Sequence, residues 1–260
     1  MNKINAQPKV WFRLGMLIIN GCAIDAEDHS HNAIQLIWPN SKSELKLDTM
    51  KFSQPIVVAA GQTHSLSMEL GWIVLIEPQS FLGEKVNESL AGSPYLVLTD
   101  LENASITNIE QSANVDLVIQ GLQPLWQVLN LIPADVISES QATPLDHGLD
   151  SRIQHLKNTL DRCFIDECLK PEHWKAQDIA KQLNLSESRF LHLFKQEMHI
   201  TWRAYLLWRR LLCAVTILMK GRSATEAAHV AGFSDSAHLS RTFKKMFGLS
   251  IRQATQTLLK

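Results

Sequence analysis

The chain has 260 residues, with 25 Lys and Arg, 26 Asp and Glu, and a formal net charge of −1. This length suffices for two domains with separate cores, and no apolar run reaches the roughly 18 residues that a membrane-spanning helix needs. Residues 1–150 carry 7 basic against 17 acidic side chains, whereas residues 151–260 carry 18 against 9. A basic half of this kind is typical of proteins that contact a phosphate backbone, so the two halves are expected to have different partners.

A secretory signal and a zinc site built from cysteines are both disfavoured. The apolar stretch over residues 10–19 is short, contains Arg13 and has no small-residue cleavage site after a basic leader. The cysteines have no zinc-ligand spacing, and they are Cys22, Cys163, Cys168 and Cys213. Reduced thiols in a cytoplasmic protein are therefore expected.

Short apolar runs separated by turn residues extend from residue 10 to about residue 105. The runs occupy residues 10–19, 33–38, 56–60, 72–76 and 95–98. Many short strands without helices between them predict a β-sandwich or β-barrel.

Two motifs in this β-rich half carry polar side chains. His-Ser-His at residues 29–31 is followed by Gln35, and Gly-Gln-Thr-His occupies residues 61–64. These motifs resemble the two motifs of cupin barrels. The resemblance implies that the three histidines and Gln35 are placed as the ligands of a metal cupin are.

Three interpretations of these side chains are open. Three imidazoles and the amide oxygen of Gln35 could hold a divalent ion, although metal cupins have a glutamate at this position. The same side chains could line an organic-effector pocket, or the histidines could simply pack beside acidic neighbours. We expect the organic effector, with no metal and no cofactor. The predicted pocket residues are His29, His31, Gln35, Trp38, Phe52, His64 and Trp72.

Residues 114–132 change to a helical period. Apolar side chains recur at steps of three and four at Val115, Val118, Leu122, Trp126 and Leu129. Pro124 is expected to kink or split this helix. The helix could cover an open side of the barrel or form a homodimer. The homodimer is slightly favoured, because Trp126 and Leu129 are costly to leave in water.

A polar segment with Pro and Gly, residues 138–149, is expected to link a domain at 1–137 to one at 150–260. Asp150 or Ser151 caps the first helix of the second domain.

Within the second domain, residues 201–219 predict a long helix. It leaves little polar surface, so the segments on both sides are expected to pack on it. Gly221 ends the helix, and Ser223 with Glu226 form a capping box for the next one.

One pattern occurs twice in this domain. In residues 232–248, Leu239 and Phe243 share one face of a predicted helix, and short polar groups and cations occupy the other. Phe190 and Phe194 take the same places 49 residues earlier. Each copy follows a short helix and a tight turn, which is the helix-turn-helix arrangement. One copy alone would equally suit an amphipathic surface helix, but two copies favour DNA binding.

Over roughly residues 150–255 the chain resembles the AraC/XylS family of bacterial transcription regulators. The matching residues of the second copy are Gly232, Phe233, Ser240, Arg241, Phe243, Lys244, Lys245 and Gly248. Those of the first copy are Ile179, Ala180, Leu183, Leu185, Ser186, Phe194 and Lys195, and Tyr205, Arg210, Leu211 and Ala214 lie between the copies. The resemblance implies an α+β multidomain chain. It has an N-terminal β-rich cupin-like barrel with a following helix and a C-terminal all-α domain of two helix-turn-helix motifs joined by a long helix.

The sequence departs from the family pattern at three places. His199 replaces a usual glycine, and histidine tolerates the left-handed backbone region better than most residues. Ile251 replaces a usual proline, and Ala254 with Thr255 replace an aromatic residue and an arginine. The last two departures put the packing of the final helix in question.

The resemblance also implies which residues contact DNA, on recognition helices over about residues 186–197 and 235–246. The expected base contacts are Ser188, Arg189, His192, Ser236, His238, Ser240 and Arg241, and the expected phosphate contacts are Lys195, Lys244 and Lys245. Arg241 is the best candidate, since a guanidinium can bind guanine O6 and N7 together. Leu191 stands where the second copy has Ser240, so it either contacts a thymine methyl or marks a tilted helix.

The expected function is that of a non-enzymatic, sequence-specific regulator of transcription, an activator, with double-stranded DNA as its partner. RNA polymerase and an unidentified small-molecule effector are further candidate partners, and no membrane partner is expected. The competing class is an architectural DNA binder whose barrel only dimerises. Phosphate-binding loops and nucleophile elbows are missing from the sequence, so a metal-bearing cupin is the one enzyme class left.

Overall fold

The structure is a computed structural model that describes residues 9–101, 104, 112–139, 149–165 and 174–258. The chain forms two compact units, one comprising Met1–Gln141 with Ser240–Lys260 and the other Ala142–Leu239. Most of the predicted linker lies outside the described residues, so the proposed domain boundary stays a prediction.

The first unit is built on one eight-stranded antiparallel sheet. Its strands are β1 (Lys9–Arg13), β2 (Met16–His29), β3 (Ile34–Pro39), β4 (Ser43–Leu47), β5 (Met50–Phe52), β6 (Ile56–Val58), β7 (His64–Ile76) and β8 (Tyr95–Val97). The order is β1-β2-β7-β3-β6-β8, with β4 paired to β7 and β5. The predicted β-rich half is therefore confirmed.

Two long strands, β2 and β7, form the centre of this sheet. The apolar run over residues 10–19 is not one strand, because Gly15 adopts a φ of 74° and turns the chain between β1 and β2. The pairing of β2 with β7 extends to His29 opposite His64, beyond a register shift after Ala26. This register brings the two predicted histidine motifs side by side.

Side chains on the two faces of β3 have different surroundings. Ile34, Leu36 and Trp38 belong to a core that also contains Trp72 and Val74 of β7. Successive residues of a strand point to opposite faces, so Gln35 and Ile37 face the other side of the sheet. Both faces of β3 are buried.

The expectation that no helix interrupts the strands is wrong. Helix α1 (Phe81–Leu90) lies between β7 and β8 and begins at Ser80, whose side chain accepts a hydrogen bond from the Gly83 amide. A short 3₁₀ turn, Thr99–Leu101, follows β8. The capping serine and the spacing of Leu82, Val86 and Leu90 are helix signals that could have been found in the sequence.

The predicted helix over residues 114–132 is split in two, as Pro124 suggested. Helix α2 (Val115–Gly121) ends at Leu122, α3 (Gln123–Val128) has the proline in its first turn, and α4 (Pro133–Glu139) follows.

The apolar stripe of these helices packs into the core of its own unit. That core includes Val118, Leu122, Trp126 and Leu129 together with Trp38 and Trp72 of the sheet. The indole N–H of Trp126 donates to the carbonyl of Ile119 at 2.8 Å. The covering role is therefore the correct one, and the stripe gives no reason for a second chain. A homodimer remains a prediction without this argument.

Helices make up the described part of the second unit. They are α5 (Ser151–Ile165), α6 (Ala176–Gln182), α7 (Glu187–Met198), α8 (Trp202–Met219) and α9 (Ala224–Val230), and α10 (Ser236–Phe247) and α11 (Ile251–Leu258) follow in the chain. Thr201 caps the predicted long helix, which is α8, and the capping box of Ser223 and Glu226 begins α9. The all-α second half is thus confirmed.

Among the described residues, helices that combine the length and the apolar character needed to cross a membrane are absent.

Candidate nucleic-acid interface and histidine cluster

In both helix-turn-helix motifs the first helix ends in the same way. After α6, Asn184 has a φ of 54° and the Leu185 amide donates to the Ala180 carbonyl at 2.8 Å. After α9, Gly232 has a φ of 75° and the Phe233 amide donates to Ala228 at 2.8 Å. This is the Schellman end of a helix, in which a left-handed residue turns the chain and the next apolar residue packs back.

The two turns differ by one residue. The turn residues of the copies lie 48 positions apart, whereas Phe190 and Leu239 on the recognition helices lie 49 apart. Ser186 caps α7 by accepting from the Arg189 amide at 3.2 Å. In the second copy Asp235 accepts from the His238 amide at 2.7 Å, and Ser234 is the additional residue.

The predicted DNA-contacting residues of α7 are exposed. Its opposite face is buried, with Phe190 and Phe194 against Trp202 at ring distances of 5.4 and 5.1 Å. The exposed side chains are Ser188, Arg189, Leu191, His192 and Lys195. Leu191 keeps 39% of its surface exposed.

On α10 the predicted residues divide into two groups. Ser240, Arg241, Lys244 and Lys245 are exposed, and Ser236 and His238 are half-buried. The Nδ1 atom of His238 lies 3.1 Å from the Ser234 hydroxyl, and its ring packs on Phe233 at 5.2 Å. His238 therefore helps to hold the turn.

The phosphate contact predicted for Lys244 has a competitor in this structure. Its Nζ atom lies 3.0 Å from a carboxylate oxygen of Glu27 on β2, within the first unit. Beside it, the Glu27 amide donates to the Gly248 carbonyl at 3.0 Å. The sequence held no signal for this pairing, because the two residues are far apart in the chain.

A buried ion pair inside the second unit was also missed. Arg209 of α8 lies 3.0 Å from the carboxylate of Asp161 on α5 and donates to the Leu160 carbonyl at 3.0 Å. Lys157 lies 3.3 Å from the same carboxylate. The pair connects α5 to the long helix α8.

The three predicted histidines of the first unit form a buried cluster. His29, His31 and His64 each present one ring nitrogen, and these atoms lie within 4.8 Å of one another. Gln35 joins the cluster, with its Oε1 atom 2.7 Å from Nε2 of His31 and 3.2 Å from Nε2 of His64.

Burial keeps the cluster uncharged. Desolvation lowers the pKa of His31 to about 4 and that of His64 to about 3, and it also lowers the pKa of His29. The imidazoles are therefore neutral at neutral pH, with a lone pair on one nitrogen of each ring.

The apolar residues predicted for the same pocket lie elsewhere. Trp38 and Trp72 belong to the core covered by α2 and α3, on the face of β3 opposite Gln35. Phe52 of β5 packs against Tyr95 at a ring distance of 4.7 Å. The structure brings together the four polar members of the predicted pocket and does not bring the three aromatic members to them.

The chain therefore contains two helix-turn-helix motifs with exposed polar and cationic faces, an arrangement that DNA-binding proteins use. A family model described as a helix-turn-helix domain matches residues 179–257. The Msm operon regulatory protein of Streptococcus mutans is 30% identical over 155 residues, which are 56% of this chain and 52% of that protein. The arabinose operon regulatory protein of Salmonella typhimurium is 34% identical over 118 residues, or 44% of this chain and 38% of that protein.

A solved structure is similar to this chain over most of its length. An apo ToxT variant from Vibrio cholerae is similar with a TM-score of 0.52 at 12% identity, covering 94% of this chain and 98% of that chain. The chain spans about half or less of the length of these two regulatory proteins. Over residues 179–257 the chain is similar to a helix-turn-helix domain of the kind that these regulatory proteins contain.

Proposed function

We propose that the protein is a sequence-specific DNA-binding regulator of transcription that places α7 and α10 in successive major-groove segments. The observation that carries this proposal is the repeated Schellman turn, followed each time by a helix with one buried aromatic or aliphatic face and one exposed face bearing Arg or His and Lys. An α-helix of this kind fits the major groove, where base edges present distinct hydrogen-bond patterns.

The β-rich first unit is proposed as the sensor. Four polar side chains, His29, His31, Gln35 and His64, are buried within it. The ring nitrogens of the three histidines and the amide of Gln35 meet at one point inside the unit, and convergent polar groups at a buried position support a ligand site. An architectural DNA binder would have no need of it.

Binding of the full chain to DNA should weaken steeply with salt. Residues 151–260 carry 18 basic against 9 acidic side chains, and each phosphate that they neutralise releases a counterion. Selection of preferred duplexes from a random pool measures the sequence preference. Titrations of the selected duplex between about 50 and 200 mM salt measure the salt dependence. A chain that selects no sequence, or whose affinity for the selected duplex ignores salt, would contradict the proposal.

A further inference from the structure

The three-histidine cluster has its ring nitrogens oriented by the backbone. Nδ1 of His29 lies 2.8 Å from the Glu27 carbonyl, and Nδ1 of His64 lies 2.9 Å from the Gln62 carbonyl. Nδ1 of His31 lies 3.0 Å from the Ala33 carbonyl, closer than the 3.3 Å to the Ala33 amide. A carbonyl only accepts, so Nδ1 of each ring carries the hydrogen and Nε2 carries the lone pair.

This backbone anchoring is the arrangement that prepares histidines for a metal. A ligating imidazole usually donates its second N–H to a carbonyl or carboxylate, which fixes the tautomer and the ring orientation. Here all three rings do so, and all three are at least nine-tenths buried.

Gln35 brings a third acceptor atom into the cluster. Its Oε1 atom faces Nε2 of both His31 and His64, so three lone-pair atoms converge with no hydrogen among them. Two arrangements resolve this convergence. Either a cation lies among these atoms, or the amide is turned so that its NH₂ group donates to both rings.

We propose that His29, His31, His64 and Gln35 form a binding site for one divalent first-row transition-metal ion, and that this ion is the effector of the proposed regulator. Imidazole nitrogens suit Zn²⁺, Fe²⁺, Ni²⁺ or Cu²⁺ in preference to Mg²⁺ or Ca²⁺, which take oxygen ligands. Nitrogens bound to one zinc ion at about 2.1 Å lie a little over 3 Å from each other. The observed spread of up to 4.8 Å needs only small side-chain rotations to close.

The site adjoins the end of a recognition helix inside the first unit. The ring of Phe247, the last residue of α10, lies 6.5 Å from that of His31. The Glu27 peptide group accepts from His29 at its carbonyl and donates to Gly248 at its amide. Rings drawn together by an ion would therefore pull on the backbone that holds Gly248, which connects metal occupancy to α10.

The test uses the full chain, purified without a histidine tag and freed of metal by a chelator. Titration calorimetry with ZnCl₂ and with NiCl₂, checked by elemental analysis after dialysis, should give one bound ion per chain. The His31→Ala, His64→Ala double variant should lose it. The matched control is His155→Ala with His229→Ala, since both of these histidines are exposed, and it should bind as the native chain does.

A conservative substitution that adds a negatively charged ligand distinguishes loss of the metal site from misfolding. Gln35→Glu should keep one site and bind Zn²⁺ at least roughly tenfold more tightly, because a carboxylate supplies the missing anionic ligand. If the Gln35 amide is instead turned so that its NH₂ group donates to both rings, the native chain should bind no stoichiometric ion. That result would overturn the proposal. So would equal loss in the surface-histidine control.

The proposal rests on the regulator function, and the two fail in different ways. DNA binding of the metal-free chain, measured separately, tests the regulator alone. A changed affinity for the selected duplex after one equivalent of Zn²⁺ supports the ion as effector, provided that the His31→Ala, His64→Ala variant shows no change. Stoichiometric binding without any change in DNA affinity would remove the effector role.

Discussion

Arg241 and Lys245 are both exposed cations on α10, and they are expected to do different work. Arg241 lies in the sector of the helix that carries Ser240, whereas Lys245 is in the last turn. A guanidinium can bind a guanine edge with two hydrogen bonds, and an ammonium contacts phosphates as a point charge.

Arg241→Ala should cost about 1–3 kcal/mol on the preferred duplex and relax the preference at one base pair. Lys245→Ala should weaken all duplexes alike and reduce the salt dependence. Competition against single-base variants of the duplex measures both effects, and a reversed pattern would exchange the two roles. Lys245 is the better comparison than Lys244, because Glu27 already pairs with the latter.

Gly248 is held in place by both its conformation and its surroundings. Its φ is 70°, and a Cβ atom there would collide with the Glu27 carbonyl oxygen and lie 2.7 Å from Nδ1 of His29. Gly221 offers a matched comparison, since its φ is 75° and no heavy atom lies within 4 Å of such a Cβ.

Gly221→Ala should therefore lose about 1–2 kcal/mol of unfolding free energy from the left-handed conformation alone. Gly248→Ala should lose that amount and about 1–3 kcal/mol more from the collision. Urea denaturation of both variants provides the comparison. Equal losses would mean that Gly248 is not packed against β2 in solution.

Single residues with a local cause could be predicted from the sequence. The left-handed turn at His199, where the family has glycine, is present with a φ of 53°. The contact of Gln35 with His31 and His64 could not be derived in the same way. It depends on β2, β3 and β7 being neighbours, which residue spacing alone does not fix.

At the scale of elements, α3 contributes to the core of the first unit through Trp126. This side chain is fully buried and belongs to the same core as Trp38 and Trp72. Trp126→Ala should lower the unfolding free energy by about 3–5 kcal/mol because it leaves a large cavity. Leu117 of α2 is 50% exposed, so Leu117→Ala should change it by less than about 1 kcal/mol.

Thermal and urea unfolding of the two variants check this difference. A small effect of Trp126→Ala would mean that the apolar stripe of α2 and α3 is not buried in its own unit, and the argument for a dimer would apply again. A large effect of Leu117→Ala would place a partner chain on the exposed side of α2.

Elements with strong periodicity were predictable, and elements that need a tertiary partner were less so. The apolar sequence of α8 and the repeat at 49 residues defined the helical half. The covering role of α2 and α3 stayed ambiguous, because an apolar stripe has the same sequence whether a sheet or a second chain covers it. Arg209 was likewise unassigned, since its partner Asp161 is on another helix.

For the whole molecule, the charge asymmetry between the halves could be counted directly, and it indicated the chemistry of the DNA partner. Residue counts could not show what kind of effector binds. The sequence motifs suggested an organic pocket lined by Trp38, Phe52 and Trp72, but these rings pack in other places. Which side of a strand a residue faces depends on turns and register shifts, such as the one after Ala26.

The two recognition helices carry different side chains, and this difference is expected to give the protein a direction along DNA. The recognition helices come from one chain, and they differ where they would meet bases, with Leu191 and His192 on α7 at the places of Ser240 and Arg241 on α10. Two unlike half-sites joined in a fixed order make an asymmetric target, unlike the palindrome that a symmetric dimer selects. We therefore expect a non-palindromic preferred duplex. Exchanging its two halves should abolish binding. On an inverted copy of the site, the same protein should bind in the opposite orientation along the duplex.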